Sequence, residues 1–566
     1  MNTNTNVDLG SLIKFIENEN NAEYSFYSSE VNSPLSKLCD NFSVLGPILI
    51  KSQLTPNRVI LQGQHFYSKF RPGDRVEIRT RKSNSDLSSN VSYNWMVEDI
   101  FYPAPGTIEI MISSEHPTEL DSKKEYFLFN SLNINFNKLM IKKLADTASK
   151  QPVLGSGLYH LDLKNPTFKK LFDELNWSQK RAIEYLYDHN LSGAIQGPPG
   201  TGKTQLLKAV LRLALNANMT VAIASFTNAA VDNLLGRWVH FESSENWLRI
   251  SKPEKVKKDL YPNQTDFNSR IANTFPTGET DFSVIGTTLH KLALNSRAPR
   301  FDLLLIDEAG QVPVYFWPFI QRLANRVIMV GDQFQLPPIS KNSEYNLPFE
   351  STFSLVYDSN TPMLETQYRM RKEIQTWSSE KFYQGKLQAH PSVEQRDFFQ
   401  DSKAFANDRI VNSKSFTSGD FGKSSKYEAE FVSSKIYQVI KNGVDSKHVG
   451  VICPYRVQAG AVIASLQNTL GVELASKIMV DTVERFQGQE KEAIFLSLGA
   501  SGKDLSELEF LSDIRRLNVS VTRARSRFFC VYEKDLLENA DRRNVYDLKE
   551  FLSWINDGST PIRRAA

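Results

Sequence analysis

Gly197-Pro198-Pro199-Gly200-Thr201-Gly202-Lys203-Thr204 fills every fixed position of the pattern G-x-x-x-x-G-K-[ST]. Ala194-Ile195-Gln196 before it reads as the end of a buried strand, and apolar residues at helical spacing run from Gln205 to Leu215. Strand, loop and helix in this order predict a phosphate cradle. The glycines let the backbone wrap a phosphate chain, and the helix N-terminus offers its positive dipole end. Lys203 reaches the β- and γ-phosphates, and the Thr204 hydroxyl ligates Mg²⁺. Gln205, opening the helix, closes the run of expected nucleotide contacts. The alternative, a glycine-rich turn before an ordinary helix, is opposed by the complete motif in its proper setting.

The loop says only that a nucleoside triphosphate is bound. At 566 residues the chain is too long for one core, and three or four domains are expected. Its 41% hydrophobic and 23% charged content is ordinary for a soluble globular protein. A net charge of +3 neither demands nor excludes nucleic acid, so any anion-binding surface must be local. Cys39, Cys453 and Cys530 are far apart with no C-x-x-C spacing, which predicts a reducing compartment and no structural metal. Met1 to Asn20 lacks a basic region followed by an apolar core, and no window approaches eighteen uninterrupted apolar residues. A cytoplasmic protein with no membrane partner is expected.

Beyond the Asn/Thr-rich first seven residues there is no low-complexity run, and there is no repeat of solenoid length. From Asn41 to Phe129 the pattern is β-like, with strands expected at Val44–Ile50, Arg58–Gln62, Asp74–Arg79, Trp95–Phe101 and Thr107–Ile112. Turn signals at Arg71-Pro72-Gly73-Asp74 and Pro103-Ala104-Pro105-Gly106 separate them, and five such strands suggest a small barrel. Helical segments at Leu12–Glu19 and Phe136–Ala148 flank it as a stalk. From Pro166 short apolar runs alternate with amphipathic helices, which predicts parallel α/β architecture. A second α/β block begins after Leu347-Pro348, with strands expected at Val449–Cys453, Ile478–Asp481, Ala493–Leu498 and Phe528–Tyr532. The expected domains are 1–165, 166–348 and 349–566.

Phe301-Asp302-Leu303-Leu304-Leu305-Ile306-Asp307-Glu308 is an apolar strand ending in two carboxylates. Downstream of a phosphate loop, Asp307 is expected in the Mg²⁺ shell, and Glu308 to orient and deprotonate the attacking water. Another apolar run, Val327–Val330, leads into Gly331-Asp332-Gln333-Phe334-Gln335-Leu336-Pro337-Pro338. A G-D-x-x-Q-L-P-P loop after D-E-A resembles the superfamily 1 helicases. It resembles in particular their Upf-like branch, which includes a nonsense-mediated-decay RNA helicase and an Okazaki-processing nuclease-helicase. Further matches keep the family's order: Leu175-Asn176-Trp177-Ser178-Gln179, Thr227-Asn228-Ala229-Ala230-Val231-Asp232, Gly286-Thr287-Thr288-Leu289-His290, Gln367-Tyr368-Arg369-Met370, Pro454-Tyr455-Arg456-Val457-Gln458, Val483-Glu484-Arg485-Phe486-Gln487-Gly488-Gln489-Glu490 and Val521-Thr522-Arg523-Ala524-Arg525. Together they run from about Asn176 to Tyr532. The segment between the second of these and Gly286 is about fifty residues, shorter than some relatives' insertions, and no nuclease motif or cysteine cluster accompanies the set.

The resemblance implies two RecA-like domains of the P-loop NTPase class, with ATP and Mg²⁺ as cofactors and an N-terminal β-barrel on a helical stalk. It assigns the arginines that compensate charge on the transferred phosphoryl group to Arg369 and Arg523, with Arg525 and Arg527 as neighbouring candidates for the second role. Gln333 then senses the γ-phosphate, Tyr368 stacks on the base, Gln179 meets the base edge and Glu490 the ribose. Thr227, Asn228, Thr287, His290, Tyr455, Thr482 and Gln487 hold positions suited to contacts with a sugar–phosphate backbone that ignore sequence. The resulting expectation is an ATP-dependent translocase and helicase acting on single-stranded nucleic acid, DNA or RNA, and on duplex junctions, moving 5′ to 3′. Its rival is a nucleotide-controlled clamp that holds or releases a partner with little unwinding.

Overall fold

The computed structural model describes residues 8–81, 87–117, 120–131, 134–148, 155, 159–241, 246–257, 261, 269–276, 282–340, 350–399, 403–405, 408–417 and 423–558. The expected start of the second block, Leu347-Pro348, lies outside them. Three large sheets organise the described residues: a closed antiparallel barrel and two parallel sheets.

The barrel has six strands rather than five: β1 (Leu45–Thr55), β2 (Arg58–Gln64), β3 (Arg75–Arg81), β4 (Leu87–Ala104), β5 (Thr107–Ser114) and β6 (Tyr126–Asn130), closing in the order β1-β2-β5-β4-β3-β6. The strand not anticipated, β6, has no alternation because both its faces are covered. Tyr126 and Leu128 point into the barrel core, while Phe127 and Phe129 pack with Leu35 and Leu38 of helix α2 (Leu35–Asp40). Glu77 and Arg79, on the outward face of β3, are buried as well. They pair with each other at 2.9 Å and both meet the Tyr27 hydroxyl of helix α1 (Leu9–Asn32). That helix runs well past the expected Leu12–Glu19, since Ser11 to Ser33 contains no glycine or proline.

The first RecA-like sheet has seven parallel strands in the order β10-β9-β11-β8-β12-β13-β7. They are β7 (Gly193–Gln196), β8 (Val221–Ser225), β9 (Trp247–Ile250), β10 (Ile271–Ala272), β11 (Val284–Thr288), β12 (Phe301–Ile306) and β13 (Ala324–Gly331). Their near-continuous apolar runs follow from burial on both faces. Leu303, Leu305, Ile328 and Val330 join one core; Leu304, Ile306, Val327 and Met329 join the other. The stalk helices close this second core, through Leu12 and Ile16 of α1 and Met140 and Leu144 of α3 (Ile134–Ala148). Helices α4 (Pro166–Asp173), α5 (Trp177–Asp188), α6 (Lys203–Asn216) and α7 (Asn228–Phe241) supply the strand-to-helix alternation that the sequence predicts.

After the short strands β14 (Thr366–Gln367) and β15 (Gln388–Ala389), the second parallel sheet runs β16-β20-β19-β17-β18. Four of its strands match expectation: β17 (Val449–Ile452), β18 (Met479–Asp481), β19 (Lys491–Ser497) and β20 (Ala524–Glu533). The fifth, β16 (Val411–Phe416), is a polar edge strand paired with β20 alone, which is why its sequence carries no buried-strand signature.

By compactness the chain forms two units. One comprises Met1–Tyr24 and Asn133–Tyr368, the other Ser25–Leu132 and Arg369–Ala566. The stalk ends thus group with the first parallel sheet and the barrel groups with the second. The sequence boundaries 1–165, 166–348 and 349–566 follow composition, and this grouping cuts across them.

Candidate nucleotide site and strand-binding face

The phosphate loop leaves the C-terminal end of β7, where ligands of open α/β sheets bind. Residues 362–364 line the outer side of this strand: Gln196 N donates to Pro362 O at 2.9 Å, and Leu364 N to Gln196 O at 2.9 Å. Gly200 and Gly202 both adopt φ +77°, a left-handed conformation that lets the loop curl back on itself. At Gly197 the requirement is space, because a Cβ there would sit 2.5 Å from the Lys203 side chain. Lys203 therefore folds over the loop, with Nζ 3.0 Å from Gly197 O. The Thr201 hydroxyl pins the turn by donating to Pro198 O at 2.7 Å. The amides of Lys203 and Thr204 open α6 before any intrahelical acceptor and lie at the loop's mouth, while the Gln205 amide donates to Gly202 O at 2.9 Å.

Two further loops converge here. Gly197 N donates to Gly331 O at 2.8 Å, joining the phosphate loop to the turn after β13. A Cβ on Gly331 would lie 2.8 Å from Gly310 N, so only glycine admits the turn after β12 at this distance. Asp307 is buried at the end of β12, and burial together with the Glu308 charge pushes its carboxyl up to about 7, against the pull of Lys203. Asp307 Oδ1 accepts the Glu308 amide at 2.9 Å, while Oδ2 has no hydrogen-bond partner among the described residues. Glu308 stands at φ +54°, which turns its carboxylate to within 3.8 Å of Lys203 Nζ. Gln333, in the turn after β13, has a buried Oε1 with no hydrogen-bond partner among the described residues. Thr204 and Asp307 are hard oxygen donors of the kind Mg²⁺ takes, and the unpaired Asp307 oxygen suits that ion.

On the base side, Gln179 is more committed than the sequence suggests. Its Oε1 accepts Asn176 N at 3.0 Å in a capping box, and its Nε2 donates to Thr201 O at 3.1 Å and Gly202 O at 3.3 Å. It clamps the phosphate loop to α5. Tyr368 is fixed close by, its amide donating to Gly200 O at 2.8 Å and its hydroxyl accepting from Asn176 Nδ2 at 3.0 Å. Asn176, quoted in the sequence only as part of a motif, thus tethers the candidate stacking residue.

The arginines lie in the other unit. Arg369 Nε contacts Glu490 Oε2 at 2.5 Å and its Nη1 donates to Thr522 O at 3.1 Å. Burial would raise the Glu490 carboxyl, but Arg369 and Arg525 hold it below the ordinary carboxylate value. Arg523 departs from a freely extended finger. It is almost fully buried, with Nε on Val519 O, Nη1 on Gln489 O and Nη2 on Thr522 Oγ1. Arg527 is locked to Asp397 at 2.7 Å, whereas Arg525 is more exposed and meets Glu490 at 3.2 Å and Glu492 at 3.4 Å.

Comparison with known proteins agrees with this layout. Two AAA domain families match, one over residues 174–403 and one over residues 348–535. The chain is 29% identical over 469 residues to the DNA polymerase alpha-associated DNA helicase A of Schizosaccharomyces pombe, covering 70% of this chain and 68% of that one. It is 26% identical over 426 residues to the DNA replication ATP-dependent helicase/nuclease DNA2 of Saccharomyces cerevisiae, covering 67% of this chain and 27% of that one. These likenesses are to superfamily 1 helicases, and they support a nucleic-acid-dependent ATPase. Replication and nuclease activity, in those names, belong to those proteins. A solved Arterivirus nonstructural protein 10 helicase superposes with a TM-score of 0.38 at 13% identity, over 89% of this chain and 82% of that one, and adds nothing to the assignment.

The helicase's candidate strand contacts differ in how they are presented. Thr227 is exposed and its hydroxyl accepts Ala230 N at 3.3 Å, capping α7. Asn228 follows as the first residue of that helix, with Oδ1 accepting Arg249 Nη2 at 2.9 Å and Ser251 Oγ at 3.3 Å. Thr287 departs from expectation, since its buried hydroxyl donates inward to Ile250 O at 3.0 Å and its backbone lies in the sheet between β8 and β9. His290 packs against Phe226 and Phe316 at ring distances of 4.7 and 5.0 Å, and burial pushes its imidazole down to about 4. It is neutral at physiological pH and offers no ionic phosphate contact.

In the other unit Tyr455 is stacked on Phe510 at 5.1 Å under the ammonium of Lys423, and burial raises its phenol. The Tyr455 hydroxyl and Gln487 Nε2 are both buried without hydrogen-bond partners among the described residues. Thr482 stands at the N-cap position of the short helix Val483–Phe486 without a side-chain capping bond. Beside it lies an arrangement that sequence reading missed, because it joins residues some four hundred positions apart. The barrel loop 67–71 docks on Asp481: Arg71 pairs with it, the Tyr67 hydroxyl donates to it at 3.3 Å, and Arg485 Nη2 donates to Lys69 O at 2.6 Å. No described helix is long and apolar enough to cross a membrane.

Proposed function

We propose that this helicase binds ATP with Mg²⁺ at the phosphate loop and uses the hydrolysis cycle to step 5′ to 3′ along single-stranded nucleic acid, opening duplexes at junctions. The observation that carries the reading is the convergence of three loops at the ends of β7, β12 and β13, which sets Lys203 beside Glu308 with Asp307 buried next to them. In this reading Lys203 binds the terminal phosphates and Gln333 reports their presence. Glu308 orients the attacking water and takes its proton. Thr204 and Asp307 would hold the metal ion, which would supply charge neutralisation at the phosphates. Arg369 and one arginine of the 523–527 stretch compensate the charge that develops on transfer.

The strand is proposed to be DNA first, since the similar curated proteins carry DNA in their names, and an intracellular setting fits the free cysteines. The test is ATP turnover with single-stranded DNA and single-stranded RNA of matched sequence. Stimulation by DNA above RNA is expected, and stimulation by RNA alone would reassign the strand. Turnover indifferent to both would remove the translocase and leave the clamp.

A further inference from the structure

Beneath the first strand-binding segment lies a fully buried arginine that none of the helicase motifs contains. Arg249, on β9, is 0% exposed, as is its partner Asp232 on α7, with Nε 2.7 Å from Asp232 Oδ1. Its other arms donate to Ile250 O at 3.0 Å, to Gly286 O at 3.4 Å and to Asn228 Oδ1 at 2.9 Å. The same carboxylate oxygen, Asp232 Oδ1, also accepts from Tyr261 Oη at 3.2 Å, and the other, Oδ2, from Lys257 N at 3.1 Å. One planar guanidinium thus ties α7, β9 and β11 together, and β11 carries Gly286 and Thr287 of the next strand-binding segment.

A buried ion pair is weak evidence for stability, because desolvation cancels much of its attraction and apolar packing serves as well or better. What this one adds is orientation. Guanidinium nitrogens only donate, so Asn228 must present its oxygen to Arg249, and the Ser251 hydroxyl donates to the same atom. The amide cannot flip without losing the Arg249 bond and setting two donors against each other. Asn228 Nδ2 is therefore turned away from Arg249, on the first residue of a 14-residue helix, and has no hydrogen-bond partner among the described residues.

We propose that Arg249 is a positioning residue for nucleic-acid binding: it fixes the Asn228 amide with its N–H₂ group toward the strand, so that this donor and the α7 N-terminus meet a phosphate together. The inference rests on the reading of Asn228 as a strand contact. Lysine at this position keeps the charge for Asp232 but not the fork that reaches Asn228.

The test is a double-mutant cycle read by the affinity of fluorescent oligothymidylate, with oligouridylate in parallel, alongside strand-free ATP turnover. Arg249→Lys is expected to weaken strand binding about tenfold and leave strand-free turnover unchanged. Asn228→Ala should weaken binding by a similar factor, and the double variant no further, since the two act as one contact. Asn228→Asp keeps an acceptor for Arg249, and so the fold, but turns a carboxylate oxygen toward the phosphate; it should bind worse than Asn228→Ala. Effects of Arg249→Lys and Asn228→Ala that add in full would overturn the positioning role alone. Undiminished binding by both Asn228 variants would overturn the strand contact and the inference with it.

Discussion

Glu308 is a carboxylate that the backbone aims. Its left-handed conformation and the short Asp307 contact place it near Lys203 independently of any attraction between them. Glu308→Gln keeps the shape of the side chain and removes only its basicity. We expect it to bind ATP normally while hydrolysis falls by about 10²–10⁴-fold, the usual worth of a positioned base. Lys203→Ala should instead impair nucleotide binding or turnover. Radiolabelled ATP retention and phosphate release measure the two separately, and near-normal hydrolysis by Glu308→Gln would remove the base assignment. A second buried carboxylate, Glu428, has a different signature. Burial pushes it up to about 8 although Ser497 Oγ and Gly499 N donate to it. A folded value above the ordinary 4.5 means that its contribution is complete below pH 4.5 and is lost as pH rises toward 8. Glu428→Gln, neutral throughout, should flatten that decline, and melting temperatures followed across this window would reveal it. A slope identical to that of the parent protein would place the alkaline loss elsewhere.

At the scale of elements, the barrel loop 67–71 reaches the residue next to Thr482, a candidate strand contact. Arg71 pairs with a buried Asp481, so Arg71→Ala leaves that carboxylate with only the longer 3.9 Å contact to Arg485 and loosens the turn that presents Thr482. Unwinding is expected to fall several-fold while strand-free ATP turnover holds; a helicase assay run beside a phosphate-release assay reports both. Removing the whole barrel, 41–129, is a blunter experiment, because Tyr67 belongs to the core beneath the second parallel sheet and its loss exposes that core. The same elements explain what was legible in the sequence. Segments whose signal is local were read almost in place: the phosphate loop between β7 and α6, Asp307-Glu308 after β12, the four inner strands of the second sheet. Those set by partners distant in sequence were not. β6 lost its alternation to α2, Glu77 and Arg79 on β3 are buried by α1, and the polar β16 pairs with β20 alone among the described residues. At the site, residue types carried the expectation of chemistry, but the inward turn of the Thr287 hydroxyl, the packing of Arg523 and the burial of Arg249 all depend on who their neighbours are.

For the whole molecule the open question is direction. Each compact unit carries its own set of strand candidates, Thr227 and Asn228 in one, Tyr455, Thr482 and Gln487 in the other. A motor with two grips moves toward whichever end is freed first in each cycle, and no single contact in either unit fixes that order. Resemblance to the Upf-like branch favours 5′ to 3′. Duplexes with only a 5′ or only a 3′ single-stranded tail should therefore be unwound from the 5′ tail, with ATP and not with a non-hydrolysable analogue. Preference for the 3′ tail would move the helicase to the opposite polarity while leaving its ATP chemistry intact. Equal strand separation from both tails with the analogue would mean that binding alone melts the duplex, which is how a clamp behaves and a stepping motor does not.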